Sequence, residues 1–514
     1  MSGNVKNALR LLRVARILAR HDALFLLDDL GVAPAVCWMA RMGSIRRGKG
    51  RAGERLARAL QQAGPSFIKL GQALSTRSDL FGEEMCEDLS HLQDRLTPFS
   101  GLEARAAIEA EFGAPMDTLF SDFDDNAIAA ASIAQVHFAT TVGGREVAVK
   151  VLRPGIEGAF RRDLALFRWV ASLVVKAAPE TRRLKPVESV EIMAETVEME
   201  MDLRFEAAAA NELAENFDGD PTFHVPAVDW SLTGKRVLTT ERISGIPIDD
   251  RNAVLAAGHD PIEVLEHAAN AFFNQVFRDG FFHADLHPGN MFVAEDGTVI
   301  AVDFGIMGRL DLRNRRYLGE MLLGFLTRDF RRVSEIHFEA GWVPPHKSVE
   351  SFAQASRAIA EPILERPQNE ISIARLLGLL FHVAKAFEME AQPQLLLLQK
   401  TMLVAEGTAR SLAPEANMWF MARPLIEDWV MQNLGPEARV RDAVNDAVDT
   451  VKRLPRVIER LEEGATMIAE GRLKLDPETV RALRGDNGSG SPSYLGFWVW
   501  AAFAAALLGF LVLG

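Results

Sequence analysis

The chain has 514 residues, enough for two or three domains of ordinary size, and 48% of it is hydrophobic, ample for packed cores. A formal net charge of −13 argues against a general nucleic-acid binder, so no nucleic-acid partner is expected. Two widely separated cysteines, Cys37 and Cys86, exclude a disulfide framework and a structural zinc site, and both read as buried thiols.

The first segment runs against the overall charge. Lys6, Arg10, Arg13, Arg16 and Arg20 recur at spacings of four and three and therefore share one helical face, with Leu11, Val14, Ile17 and Leu18 opposite. Arg41, Arg46, Arg47, Lys49, Arg51, Arg55 and Arg58 continue the basic bias. Two readings stand: a helix attracted to anionic lipid, or an amphipathic helix docked on its own domain. Arginines interrupt every apolar stretch and no small-residue cleavage site follows, so this is not a secretory signal.

Farther on, Ala129-Ala130-Ala131-Ser132-Ile133-Ala134-Gln135-Val136 precedes a pair of apolar strands predicted over 136–139 and 147–152, joined by a Gly143-Gly144 turn. In Glu146-Val147-Ala148-Val149-Lys150 the alternation predicts a buried strand from which Lys150 emerges. Residues 186 to 217, opened by Pro186, read as a long helix. Were it unbroken, Asp202 and Glu206 would share a face and Glu200 would point elsewhere, so these acids need two sets of partners. The alternative for Glu195, Glu198, Glu200 and Glu206 is a solvated acidic face.

The most informative stretch is His283-Ala284-Asp285-Leu286-His287-Pro288-Gly289-Asn290, followed by Val302-Asp303-Phe304-Gly305. His283 and His287 sit at i and i+4, but no third ligand accompanies them, so they are not read as a zinc pair. A lysine strand, an acidic helix, an HxD triplet with Asn at the fifth position and a DFG triplet, in that order, resemble the catalytic lobe of protein kinases. That resemblance implies ATP and Mg²⁺ as cofactors. Asp285 would face the phosphate acceptor as base or orienter, Asn290 would hold Mg²⁺, Asp303 would bridge Mg²⁺ to the β and γ phosphates, and Lys150 would reach the phosphates. Gly305 is expected to let the backbone swing so that the Asp303 carboxylate enters the cleft.

The surrounding residues resemble the UbiB family, the atypical kinase-like proteins of ubiquinone biosynthesis. Lys69-Leu70-Gly71-Gln72 resembles that family's KxGQ signature, followed by Leu92-Gln93-Asp94; residues 129–137 resemble its alanine-rich nucleotide loop; Glu200-Met201-Asp202 resembles its ExD motif, with Glu206 in the place of the helix-C glutamate. The likeness runs from about Leu24 to about Asn417. It implies that Ala129 to Val136 bind ATP with an altered ATP/ADP preference, the alanines making a stiffer cover than glycines would. It also implies that Glu206 pairs with Lys150, while Glu200 and Asp202 engage the segment of Lys69, Gly71 and Gln72 and lay it, as a regulatory element, across the acceptor side of the cleft. Thr239-Thr240-Glu241-Arg242-Ile243-Ser244-Gly245 resembles the hinge between lobes, which puts Glu241 at the adenine.

Leu395-Leu396-Leu397-Leu398-Gln399-Lys400 is an apolar run too short and too quickly charged to span a bilayer. Residues 441 to 484 read as amphipathic helix and 484 to 492 as a flexible polar linker. Tyr494 to Gly514 carries no charge and holds Trp498 and Trp500 near its entry, which predicts a transmembrane helix, with Arg481 and Arg484 placing the linker on the cytoplasmic side.

The expected fold is α+β: a bilobal, mostly helical protein-kinase-like fold with a helical KxGQ extension over 1–115, a small lobe over 116–242, a large lobe over 243–440, a tail and linker over 441–493 and a membrane helix over 494–514. The resemblance implies an atypical kinase or ATPase anchored by a single pass in the bacterial inner membrane, its catalytic part cytoplasmic, supporting ubiquinone biosynthesis. Its partners would be the lipid membrane, prenylated quinone precursors and other enzymes of that pathway. Bacterial relatives suggest two terminal membrane helices where this chain offers one, which leaves pairing in a homodimer open. Phosphate could pass to water, a lipid or a protein. The competing readings are a true protein kinase and a nucleotide-gated scaffold. A 2-polyprenylphenol hydroxylase finds no G-x-G-x-x-G flavin fingerprint and no haem or iron ligand set here.

Overall fold

The computed structural model describes residues 3–25, 38–40, 50–75, 82–90, 92, 96–177, 186–364, 383–384, 386–389, 393–414, 416 and 418–434. Gln93, Asp94, the tail and the Tyr494–Gly514 segment lie outside them. Among the described residues no helix is long and apolar enough to cross a membrane.

Among the described residues five helices come first: α1 (Gly3–Arg20), α2 (Ala52–Ala63), α3 (Pro65–Ser75), α4 (Glu83–Ser90) and α5 (Gly101–Phe112). The apolar face of α1 decides between its two readings. Leu11, Val14 and Leu18 are buried in one cluster with Leu56 and Leu60 of α2, Phe67 of α3, and Phe160, Leu164 and Phe167 of the later helix α7 (Ile156–Ala177). The helix is thus docked on its own domain, and Arg10 Nε donates to Asp163 of α7 at 2.6 Å. Asp163 is itself buried and also accepts from Ser66 Oγ at 2.9 Å, so its charge is compensated twice. Cys86 is buried, as expected of an ordinary thiol.

After a short helix α6 (Met116–Leu119) the chain builds an antiparallel sheet from β1 (Phe120–Phe123), β2 (Ala129–Ala130), β3 (Ala134–Thr141), β4 (Glu146–Leu152) and β6 (Val237–Glu241), in the order β1-β3-β4-β6 with β2 on β3. The two-residue period of β4 sorts its side chains. Val147, Val149 and Val151 go to a cluster with Ala104 and Ile108 of α5, whereas Leu152 joins the cluster of the N-terminal helices. Lys150 shares the face of Leu152. Gly144 closes the β3–β4 turn at φ 81°, where a side chain would be strained. Because α5 covers one face of this sheet, the sheet's core begins well before residue 116.

The predicted single helix over 186–217 is two helices, α8 (Pro186–Glu200) and α9 (Leu203–Asn216). Asp202 interrupts it. Its backbone is extended, and its side chain caps α9 by accepting from Arg204 N at 3.2 Å, while Leu203 N turns to Lys235 O at 2.9 Å. Aspartate competes for nearby backbone amides, which is why it favours such caps over helix interiors. The break also frees Glu200 and Glu206 from a common helical phase.

α9 then joins two cores. Leu203 and Ala207 pack in the N-terminal cluster, and Ala210 and Leu213 pack with residues of the second sheet. That sheet runs β5 (Phe223–His224), β10 (Val299–Ala301), β9 (Met291–Val293), β7 (Ile246–Pro247), alongside a separate pair β8 (Phe281–His283) and β11 (Met307–Arg309). β5 precedes the segment that crosses between lobes, so residues 217–225 belong structurally with the large lobe. The remaining described helices are α10 (Arg251–Ala256), α11 (Pro261–Phe273), α12 (Leu312–Leu326), α13 (Phe330–Glu339), α14 (Val349–Leu364), α15 (Pro393–Leu412) and α16 (Met418–Leu434).

Gly71 has a packing reason to be glycine. A Cβ there would come within 2.3 Å of Leu92 Cδ1 and 2.8 Å of Leu60 Cδ1, both on buried leucines. Gly71→Val should therefore destabilise the fold by about 1–3 kcal/mol, the cost of overpacking, read as a lowered urea midpoint. An unchanged midpoint would mean that α2 and α3 are not packed this closely.

Candidate active site

Lys150 is the centre of the site. Its ammonium donates to Glu206 Oε1 at 2.7 Å and Oε2 at 2.9 Å, and to Asp303 Oδ1 at 2.8 Å. The strand β4 delivers the lysine, the first turns of α9 deliver Glu206, and the turn after β10 delivers Asp303. The side chains of Lys150 and Glu206 are 17% and 9% exposed, Asp303 47%. Burial works against the lysine's charge, but Asp303 and Glu206 outweigh it and hold the ammonium above its ordinary value. One cation cannot fully compensate two carboxylates. Burial, aided by repulsion from Asp303, pushes Glu206 up to about 7 in spite of Lys150, while the Lys150 charge holds Asp303 well below the ordinary carboxylate range.

Asp303 itself takes the left-handed backbone, φ 63°, a conformation that aspartate tolerates better than most residues. This corrects the expectation for Gly305, which is not among the left-handed glycines. A Cβ there would lie 3.4 Å from Asp303 Oδ1, an ordinary contact, so space does not require a glycine at 305 either.

The loop after β8 is held by a neutral histidine. His283 is fully buried, and burial keeps its pKa low. Its Nδ1 accepts from Asp285 N at 3.1 Å, so Nε2 carries the proton and donates to Val302 O at 3.1 Å. One imidazole thereby fixes the backbone beside both Asp285 and Asp303. His287 serves a local turn, its Nδ1 accepting from Gly289 N at 3.1 Å. Asn290 Nδ2 donates to Asp285 O at 3.0 Å, which leaves the amide oxygen Oδ1 available as a ligand. Lys400 of α15 stands 3.8 Å from Asp285 Oδ1, and the single proton of Thr401 Oγ1 is shared between Leu397 O at 2.9 Å and Ala284 O at 3.1 Å.

The alanine-rich segment is a tight hairpin. Ala129 pairs with Val136 and Ala130 with Gln135, and Ala131 N bonds Ala134 O at 2.8 Å across the tip. Arg153 clamps that tip by donating from Nη2 to Ala131 O at 3.2 Å and Thr97 O at 2.9 Å, with its N–H on Ile133 O at 2.8 Å. Gln135 accepts from Phe99 N and donates to Phe99 O. The Ser132 hydroxyl at the tip is buried without a hydrogen-bond partner.

Lys69 reaches Glu200 at 3.0 Å, both side chains largely buried. Asp202 does not share that arrangement as expected. Its carboxylate is taken by Arg204, at 2.9 Å from Nε and 2.6 Å from Nη2, and those bonds lower its pKa. Glu241 ends β6 with its side chain on His224 at 3.0 Å and Ala227 N at 3.2 Å, directly before the chain crosses to β7. Arg153, Lys400 and Thr401 escaped the sequence reading, since no local spacing links them to the motifs they touch.

The donor set suits a hard cation. Asp303 supplies an ionised carboxylate and Asn290 an amide oxygen, few protein ligands, as Mg²⁺ prefers when phosphates and waters complete its shell. Among the described residues no group of three or more His, Cys, Asp or Glu could hold a metal.

The profile of the ABC1 atypical kinase-like domain matches residues 91–337, and that of the UbiB helical domain matches residues 356–417. A protein of Marinobacter nauticus named "Probable protein kinase UbiB" is 42% identical over 466 residues, covering 89% of this chain and 85% of that protein. Its namesake in Aeromonas hydrophila is 43% identical over 467 residues, covering 88% and 85%. Among solved structures, Rv3197 of Mycobacterium tuberculosis, in complex with erythromycin, aligns with a TM-score of 0.52 at 26% identity, covering 73% of this chain and 95% of that one.

The shared ammonium predicts a pH signature. The folded pKa of Glu206 lies above its ordinary 4.5, so the stability contributed by its proton is fully present below that value and drains as pH rises through about 7. Asp303 acts oppositely: its contribution is present above its ordinary 3.8 and is lost as pH falls toward the depressed folded value. The windows do not overlap. From about pH 5 to about pH 7.5, wild type should lose about 1–3 kcal/mol relative to Glu206→Gln in urea denaturation, at most about 1.4 kcal/mol per pH unit. A constant difference would mean that Glu206 is ionised throughout.

Proposed function

From the premise that this chain belongs to the UbiB family of ABC1 atypical kinase-like proteins, we propose that it is a membrane-anchored, Mg-ATP-dependent kinase or ATPase supporting ubiquinone biosynthesis. The observation that carries the nucleotide reading is the bridge from Lys150 to Glu206 and Asp303. It holds a cation and an ionised carboxylate side by side, the pair needed to receive phosphates and their counter-ion. The orphaned Ser132 hydroxyl offers the alanine hairpin a further polar contact for a ligand.

In this reading Asp303 and Asn290 hold Mg²⁺, which neutralises phosphate charge when bound. Lys150 binds the phosphates, the hairpin from Ala129 to Val136 covers them, and the strand ending at Glu241 leads into the adenine side. Asp285 orients the acceptor and takes its proton. The Lys69–Glu200 pair fixes the KxGQ helix on α8, and with it the regulatory position assigned to Gln72. Ubiquinone precursors are long isoprenoids kept in the bilayer, and the charge-free stretch from Tyr494 to Gly514 is the anchor that would bring the enzyme to them. A true protein kinase is the second reading, favoured by the names of the relatives.

Purified protein should hydrolyse ATP, and membranes with a quinone-like phenol should stimulate it; phosphorylated protein products would favour the second reading. Asp303→Asn should abolish Mg-dependent nucleotide binding while the fold survives, because an amide cannot balance the metal's charge. Titration with a fluorescent nucleotide checks this, and unchanged affinity removes Asp303 from the ligand set.

A chain ending at Arg484 should be released from membranes by high salt, since a basic amphipathic surface alone binds reversibly. Retention after a high-salt wash would point to another insertion element.

A further inference from the structure

We propose that Lys400 is a catalytic residue whose ammonium stabilises the γ-phosphoryl group during transfer. This rests on the ATP reading above. Lys400 comes from α15, within the UbiB helical domain and outside the kinase-like segment. Phosphoryl transfer spreads negative charge over the oxygens of the group in flight, and catalysis depends on positive charge fixed beside it. The loop that carries Asp285 has none to offer. Between Asp285 and Asn290 stand Leu286, His287, Pro288 and Gly289, and the His287 Nδ1 lone pair is engaged by Gly289 N. Lys150, which binds the phosphates in that reading, comes from β4 of the small lobe and not from this loop.

Lys400 meets the requirement in three respects. Its ammonium lies 3.8 Å from Asp285 Oδ1, inside ion-pair range but too long for a hydrogen bond. It is therefore near the acceptor side without being locked there. The side chain is half-exposed, so as a structural brace this pair would contribute little. The backbone beneath it is fixed instead. Thr401 is fully buried, its hydroxyl within hydrogen-bond range of Ala284 O, the residue before Asp285, at 3.1 Å and of Leu397 O at 2.9 Å, and Leu398 is buried in the large-lobe core. A rigid base with a mobile charged tip can follow a phosphoryl group as it moves. In the transfer, the acceptor oxygen forms a bond to the γ phosphorus as the bond from phosphorus to the β–γ bridging oxygen breaks. ADP leaves with that oxygen, the acceptor's proton passes to Asp285, and Lys400 keeps its own proton throughout.

The test compares wild type, Lys400→Met, Lys400→Arg and Thr401→Val for ATP turnover and for affinity toward a fluorescent ATP analogue with Mg²⁺. Lys400→Met should lower kcat about a hundredfold, the usual cost of losing one fixed charge-stabilising donor. Affinity and the thermal midpoint should stay near wild type, because the side chain is at the surface. Lys400→Arg should recover most of the rate. Thr401→Val, which removes a positioning contact, should lower kcat less, and adding it to Lys400→Met should cost little more. Wild-type kcat in Lys400→Met overturns the proposal, as does a loss confined to affinity. If wild type itself neither binds Mg-ATP nor turns it over, the nucleotide reading fails, and this inference with it.

Discussion

A single ammonium shared by two carboxylates is the constraint on which this molecule turns. Lys150, Glu206 and Asp303 come from a small-lobe strand, a helix and a large-lobe turn, and they meet at 2.7 and 2.8 Å only when all three supports are in place. The helix carrying Glu206 makes that placement stiff. α9 buries Leu203 and Ala207 in one core and Ala210 and Leu213 in another, so Glu206 sits between two anchored ends. A helix fastened in both cores cannot swing outward without opening one of them, and close-packed interiors resist such opening.

The same economy appears around the two aspartates. A buried, neutral His283 ties the backbone at Asp285 to that at Val302, and its low pKa keeps this role across the physiological range. Asp303 accepts a left-handed backbone, at modest cost for an aspartate, and so turns its carboxylate to Lys150. Over the hairpin, Arg153 and Gln135 replace glycine-like freedom with fixed contacts to Ala131, Thr97 and Phe99. Alanines in this hairpin are compatible with a cover held from behind.

The N-terminal helices belong to this machinery through packing. α1, α2 and α3 share a core with α7 and with the start of α9, and Gly71 leaves no room for a side chain between α3 and the leucines Leu60 of α2 and Leu92. The Lys69–Glu200 pair then joins α3 to α8 just before the break at Asp202. A change in α3 therefore has a contiguous physical route to Glu206, through α8 and the capped start of α9.

The sequence by itself determined the local chemistry: the identities of Lys150, Asp285, Asn290 and Asp303, the strand period around Lys150, the Gly143-Gly144 turn and the two-faced pattern of α1. These follow from side-chain type and short-range periodicity, which act over a few residues. Only the tertiary structure decided what those faces meet. It docked α1 on its own domain, broke 186–217 where Asp202 found a backbone amide, gave the left-handed turn to Asp303, and sent Asp202 to Arg204 while Glu200 kept Lys69. It also brought Lys400 and Thr401 to the loop of Asp285 from a helix far along the chain. Contacts of that kind depend on how helices and sheets pack, and packing leaves no periodic mark in the residues that happen to touch.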